Sequence, residues 1–263
     1  MSGEREPLLE GTLISHLLEL RTRVMRAFLA VIIVFIPMAF YSNQLFEWLA
    51  RPLRRVLPAN SALISTSITA PFTTPLKLSF VAALVVAMPV VLYQLWAFVA
   101  PGLYRHEKRY AVPLLISSII LFYTGTGFAY FAVFPLMFNF FVNTTPHGVQ
   151  MMADITMYMD FVLKLLFSFG LAFEVPVAVV LLVIMGIVPL AKLTQIRGYV
   201  LIAVFVIAAI VTPPDAVSQT IMAVPMYLLY EGGILFARLM GRGRGAAEAV
   251  EPAVEDHDRG GKA

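Results

Sequence analysis

Six apolar stretches organise the chain, at about 24–41, 78–100, 111–142, 161–186, 199–211 and 216–236, with polar connections between them. Each is read as a transmembrane helix, since crossing a bilayer core takes roughly 20 mainly apolar residues. The lengths are unequal. Stretch 111–142 holds 32 residues without a charge, about 48 Å if fully helical, so it must tilt, protrude or bend. Pro113, Gly125, Gly127 and Pro135 are where bending is cheapest. Stretch 199–211 has 13 residues, about 20 Å by the same rise, and crosses only where the membrane thins or neighbours shield its ends. Helices five and six are expected to be the short ones.

Before the first span, Leu13, Leu17, Leu20 and Val24 recur at helical spacing, with Thr12 available as an N-cap. This places an amphipathic helix on the membrane surface, with Glu19 and Arg23 four apart on its polar side. Residues 1–11 read as a flexible N-terminus, 12–241 as one six-helix membrane domain, and 242–263, rich in Gly, Ala and Glu, as a disordered tail. No internal repeat and no matched pair of Gly/Pro-broken segments is present, which argues against an inverted-repeat carrier.

Composition agrees: of 263 residues 60% are hydrophobic and 13% charged, against about 25% charged in soluble domains. The fold class is an all-α integral membrane protein with no room for a soluble domain. The absence of cysteine excludes disulfides, iron–sulfur clusters and thiol chemistry, and the four histidines are too scattered for a metal site. The first 23 residues are charged and lack the apolar core of a secretory signal. Lysines and arginines set the orientation. The N-terminus, second and fourth connections and tail, with Arg26 at the start of the first stretch and Arg238 after the last, hold 14, while the first connection, Ser42–Lys77, holds four and the third and fifth none. Both termini are therefore placed in the cytoplasm, and the 36-residue first connection must be structured enough to be translocated with its charges.

One acid lies in the middle of a span. Glu174 is thirteen residues from Phe161 and twelve from Gly186, so it cannot snorkel and must be neutral, paired or facing a polar cavity. Pro176 frees the carbonyl of Ala172, and Gly170 allows close helix approach. Lys164 is ten residues away on another face and is expected to snorkel to the outer interface. Glu174 is open to two readings at this point: a structural hydrogen bond between spans, or a proton site in an ion- or proton-coupled small-solute transporter. An intramembrane enzyme finds no support, because no paired aspartates, His-Glu-x-x-His motif or histidine lies within a span.

Four segments then carry a resemblance. "SHLLELRTR" from Ser15, "YQLWAFVAPGLYRHEKR" (Tyr93–Arg109), "FSFGLAFEVPVAVVLL" (Phe167–Leu182) and "TPPDAVSQTIMAVPMYLLYE" (Thr212–Glu231) resemble, in order, motifs of the TatC family, the polytopic core subunit of the twin-arginine protein translocase. The resemblance covers about 15–236. It implies a receptor in the bacterial cytoplasmic membrane that binds twin-arginine signal peptides of folded preproteins and scaffolds single-span TatA/TatB-type subunits for export driven by the protonmotive force. Homo-oligomerisation within the complex is implied as well. No cofactor, metal, nucleic-acid partner or catalytic residue is expected.

The resemblance gives the opening acid a role. Glu19 and Glu107 would contact the signal's arginines, a carboxylate accepting a guanidinium in a fork that lysine cannot reproduce. Otherwise each pairs locally, Glu19 with Arg23 and Glu107 with Arg105, Lys108 or Arg109. Arg21, Phe98 and Pro52 complete the implied signal-binding set, although Arg21 also suits lipid phosphate and Phe98 an interfacial anchor. Glu174 becomes the intramembrane docking point for the single-span partners. Asp215, in "TPPD", is an outer-face functional candidate or simply a turn residue. Glu231 reads as a buried charge or as the cytoplasmic end of a thinned membrane.

Overall fold

The computed structural model describes residues 6–56, 63–99, 111–146 and 152–248, with side chains over 15–51, 63–99, 111–146 and 152–240. Ten α-helices and one two-residue strand pair are found among them: α1 Glu6–Phe40, α2 Ser42–Val56, β1 Leu63–Ile64, α3 Ala70–Val99, α4 Ala111–Phe128, α5 Phe134–Thr144, β2 Ala153–Asp154, α6 Ile155–Ala172, α7 Val175–Ile184, α8 Leu190–Gln195, α9 Arg197–Val211 and α10 Ala216–Glu248. Five helical segments are long and apolar enough to cross a membrane: Ser15–Phe40, Ala70–Val99, Ala111–Thr144, Ile155–Ile184 and Ala216–Met240. The 15-residue α9 is a shorter sixth apolar helix, about 22 Å long at 1.5 Å per residue.

The apolar stretches thus recur in number and order, and their ends move. The amphipathic turn around Glu19 is continuous with the first span in one 35-residue helix starting at Glu6, because no breaker separates them; the flexible segment expected over 1–11 is helical from that point. The sixth helix is not short. α10 runs 33 residues to Glu248, taking in 242–248 of the expected tail, since Gly232, Gly233 and the arginines beyond do not stop a helix once one is established. The first connection contains α2, an amphipathic helix whose Leu49 and Ala50 are buried while Trp48 and Arg51 are exposed. Tyr158 donates a hydrogen bond to the Leu49 carbonyl (3.0 Å), and Trp48 stacks on Tyr130 at 5.0 Å and 7°.

The third span bends where its sequence allows. α4 and α5 are joined by a π-helical turn, Ala129–Val133, placed between Gly127 and Pro135. Pro135 has no N–H for the carbonyl four residues back, so the extra residue in the turn absorbs a register that an α-helix would leave broken. In α3, Pro89 likewise frees the Val85 carbonyl, and Tyr123 of α4 donates its hydroxyl to it at 3.1 Å. A hydrogen bond from the neighbouring helix therefore repairs the proline defect inside the bilayer.

Beyond α5, β1 pairs in parallel with β2, Leu63 opposite Ala153. Asp154 closes this end. It accepts from the Thr66 backbone and hydroxyl (3.0 and 2.7 Å) and caps α6 through the Thr156 and Met157 amides. These donors hold its carboxyl at about 2, below the ordinary carboxylate range, so the cap is ionised throughout the neutral region.

The main core lies between α4–α5, α6 and the facing ends of α9 and α10, around Met137, Met159, Leu165, Phe169, Ala208 and Met222. α1 packs beside it mainly on α3, where Val31 meets Ala83 and Ala87, and leaves Val24, Phe28, Ile33 and Ile36 exposed to lipid. Without a hydrophobic force between helices in lipid, close contact depends on small residues. A Cβ on Gly125 would lie 2.6 Å from the Phe169 carbonyl oxygen, one on Gly170 2.7 Å from the Phe122 ring, and one on Gly233 2.8 Å from Pro176 Cα, whereas Gly127 and Gly232 have nothing within 4 Å.

Gly125→Ala and Gly233→Ala are each expected to destabilise the fold by about 1–3 kcal/mol, as overpacked contacts do. Gly127→Ala and Gly232→Ala should be neutral or stabilising by up to about 1 kcal/mol, from helix propensity. Denaturation of the four variants in one detergent checks the contrast.

Candidate functional site

Six helical crossings, with α9 counted, put the start of α1 and the end of α10 on one face, and the sequence candidates divide between that terminal face, the membrane interior and the opposite face. On the terminal face Glu19 is held by Arg23, whose Nε donates to Glu19 Oε1 at 2.9 Å. The pair is an i,i+4 contact with the Glu19 side chain 37% exposed, the kind of surface pair that contributes about 0.3–0.5 kcal/mol. One turn earlier His16 stacks on Phe98, ring centroids 4.3 Å apart. This joins the polar start of α1 to the end of α3, so Glu19 and Phe98 fall in one neighbourhood. Arg21 is exposed on the same turn and makes no ion pair among the described residues.

Glu107 lies outside the described residues. Pro52 does not join the group. It belongs to α2, beyond the far end of α1, and the 21 residues from Glu19 to Phe40 span about 32 Å.

The interior candidate is Glu174, at a break between α6 and α7. The fourth span is therefore not one continuous helix. The Phe173 amide still bonds the Phe169 carbonyl, but the Glu174 amide turns to Leu171 (3.0 Å), and Pro176 offers no N–H to Ala172. The break aims the half-buried Glu174 side chain at α4: Ser118 Oγ donates to Oε2 at 2.7 Å, and Trp96 Nε1 donates to Ser118 Oγ at 3.2 Å. Oε1 is buried with no hydrogen-bond partner among the described residues. Beside the break an apolar groove of about 480 Å³ runs between α4, α7 and α10, lined by Leu121, Phe173, Pro176, Pro225 and Leu229 among others. Glu174 does not line it.

Asp215 is the N-cap of α10 on the opposite face, its Oδ1 accepting the Ser218 amide at 2.7 Å. Lys164 is exposed toward that face, one turn from Asp160, which pairs with Lys77.

Two partners escaped sequence reasoning. Ser118 was not a candidate, although a serine level with Glu174 in an antiparallel neighbour is where a donor would be sought. Glu231 is paired at the terminal face, with Arg197 Nη2 (2.7 Å) and the Tyr227 hydroxyl (2.9 Å). The signal lay in the hairpin: Arg197 precedes Val211 by fourteen residues and Glu231 follows Ala216 by fifteen, which puts the two charges level across the turn.

This is a multi-pass membrane protein with paired acids, Glu19 and Glu231, on a basic terminal face, and with one carboxylate, Glu174, at a helix break within a span. Residues 15–225 match the family described as Sec-independent protein translocase protein (TatC). A TatC protein of Azotobacter chroococcum is 50% identical over 245 residues, 93% of each chain, and that of Escherichia coli K12 is 48% identical over 244 residues, 92% of this chain and 95% of the other. A crystal structure of the twin-arginine translocase receptor TatC superposes with a TM-score of 0.79 at 39% identity, covering 86% of this chain and all of that one. The chain belongs to the TatC family.

Proposed function

We propose that this chain is the receptor and scaffold subunit of a twin-arginine translocase in the bacterial cytoplasmic membrane, binding twin-arginine signal peptides at its cytoplasmic rim and single-span TatA/TatB-type subunits within the bilayer. It performs no catalytic chemistry of its own; transport is driven by the protonmotive force acting on the assembly. The terminal face, richest in lysine and arginine, is the cytoplasmic one.

The observation that carries the reading is the state of Glu19. Its guanidinium partner is the residue one turn away on its own helix, in a part-exposed pair. An incoming arginine replaces one guanidinium by another, an exchange with little net cost to the carboxylate, and the gain comes from the additional contacts of the signal. Glu107 supplies a second carboxylate, and the Phe98–His16 stack holds the start of α1 against the end of α3. Pro52 and Asp215 act from the opposite side, Asp215 through the cap it provides for α10.

Glu174 is the docking point for a partner helix. One of its oxygens is satisfied by Ser118; the other is buried without a hydrogen-bond partner among the described residues, so a polar residue of a second chain reaches it only by parting the helices beside the break. A proton-coupled carrier remains the rival reading for this residue alone.

Charge-assisted hydrogen bonds contribute about 1.5–3 kcal/mol each, so Glu19→Gln or Glu107→Gln should weaken binding of a twin-arginine signal peptide by on the order of tenfold or more. Folding and membrane insertion should be retained, and wild-type affinity should fall as salt rises. Unchanged affinity of the double Gln variant at low salt would remove both residues from the site.

At Glu174, Gln preserves an acceptor for Ser118 and a donor for a partner, while Ala removes both. Gln should keep most transport activity. Ala should lose partner recruitment, and neither should alter signal binding. Equal failure of Gln and Ala, with partner crosslinks intact, is the result that a proton-carrying role demands.

A further inference from the structure

Two helices carry matched stripes toward the face opposite the termini. On α3, Lys77, Val81 and Leu84 fall at i, i+4 and i+7; on α6, Asp160, Lys164 and Phe167 repeat that spacing. These six residues line a groove of about 280 Å³, with its charges at the outer end and its apolar walls inward. Lys77 Nζ donates to Asp160 Oδ1 at 2.5 Å, which leaves Lys164, exposed and without an ion-pair partner among the described residues. The groove therefore carries one positive charge without an ion-pair partner among the described residues, toward the outer end of α6.

We propose that this groove is a binding site for an anionic glycerophospholipid of the outer leaflet, its phosphodiester on the Lys164 ammonium and one acyl chain laid along Val81, Leu84 and Phe167. The argument is one of charge and size. Nine residues into α6, Lys164 lies about 14 Å from the helix start by the α-helical rise. A lysine at that depth is costly unless its flexible stem lifts the ammonium outward or a counter-ion meets it. Asp160 is already engaged by Lys77, so the counter-ion has to come from outside the protein. A second transmembrane helix, about 10 Å across with its side chains, does not enter a groove of this volume, whereas an acyl chain does. The Lys77–Asp160 pair forms the rim of the site and fixes the separation of α3 and α6.

Native mass spectrometry of the purified full-length protein, titrated with phosphatidylglycerol or with phosphatidylcholine of identical chains, tests this. Wild type should retain phosphatidylglycerol in preference to phosphatidylcholine by on the order of tenfold, the size of one charge-assisted contact. Lys164→Gln should abolish the preference, Lys164→Arg should preserve it, and Lys192→Gln, on the other face, should leave it unchanged. Phe167→Ala should weaken both lipids alike. Equal retention of the two lipids by wild type, or an undiminished preference in Lys164→Gln, would overturn the proposal. If Lys164→Gln fails to fold, Lys164→Arg and Phe167→Ala decide it: loss of the preference in the first, or no effect of the second, counts against the site.

Discussion

A carboxylate halfway along a membrane span has to find its hydrogen bonds inside the protein, because lipid offers none. The packing of α3, α4 and α6–α7 meets that requirement for one of the two oxygens of Glu174. Ser118 lies seven residues before Gly125 on α4, and Glu174 four after Gly170 on α6, so the antiparallel crossing at the two glycines brings serine and carboxylate to the same level. The approach must be close for a side chain as short as serine to reach, and the two glycines keep it close. The third tight contact, Gly233 on Pro176, holds α10 against the helix that begins just after the break. Polar satisfaction and backbone proximity are here a single constraint.

In the proposed function, two kinds of recognition are separated by depth. At the terminal face, charge is exposed and locally paired: Glu19 with Arg23, Glu231 with Arg197. Such groups exchange partners readily and are sensitive to salt, which suits reversible capture of a basic peptide. Inside the bilayer the polar chain is short, from Trp96 through Ser118 to Glu174, and ends on a buried oxygen with no partner among the described residues. In low dielectric a single added hydrogen bond is strong and specific, which suits the docking of one helix on another. On the opposite face, the Asp154 cap, the β1–β2 pair and the Tyr158 bond to Leu49 tie the first and third connections to α6.

Much of the fold was legible because the solvent is a bilayer. Apolar length alone located the helices. What stayed hidden depended on contacts between distant segments. The amphipathic turn around Glu19 could not be told from a separate surface helix, since periodicity is identical whether or not a helix continues into a span. The end of α10 was set too early, because glycine and arginine weaken a helix without ending it. Glu174 stood out through its mid-span position and a nearby proline, yet its donor Ser118 is an ordinary residue until α4 lies beside it. The anchoring of α2 was equally invisible, as it rests on Trp48 meeting Tyr130 from a different part of the chain.

The central claim is that Ser118 orients Glu174 for a partner helix, so that the two residues act as one unit. A double-mutant cycle measures this directly: affinity for a single-span partner subunit in wild type, Ser118→Ala, Glu174→Ala and the double variant, with signal-peptide binding followed in parallel. Ser118→Ala should weaken partner binding when Glu174 is present and cost nothing further when it is absent, a coupling of about 1 kcal/mol, with signal binding constant throughout. Additive losses, or a Ser118→Ala effect that persists in the Glu174→Ala background, would contradict the account.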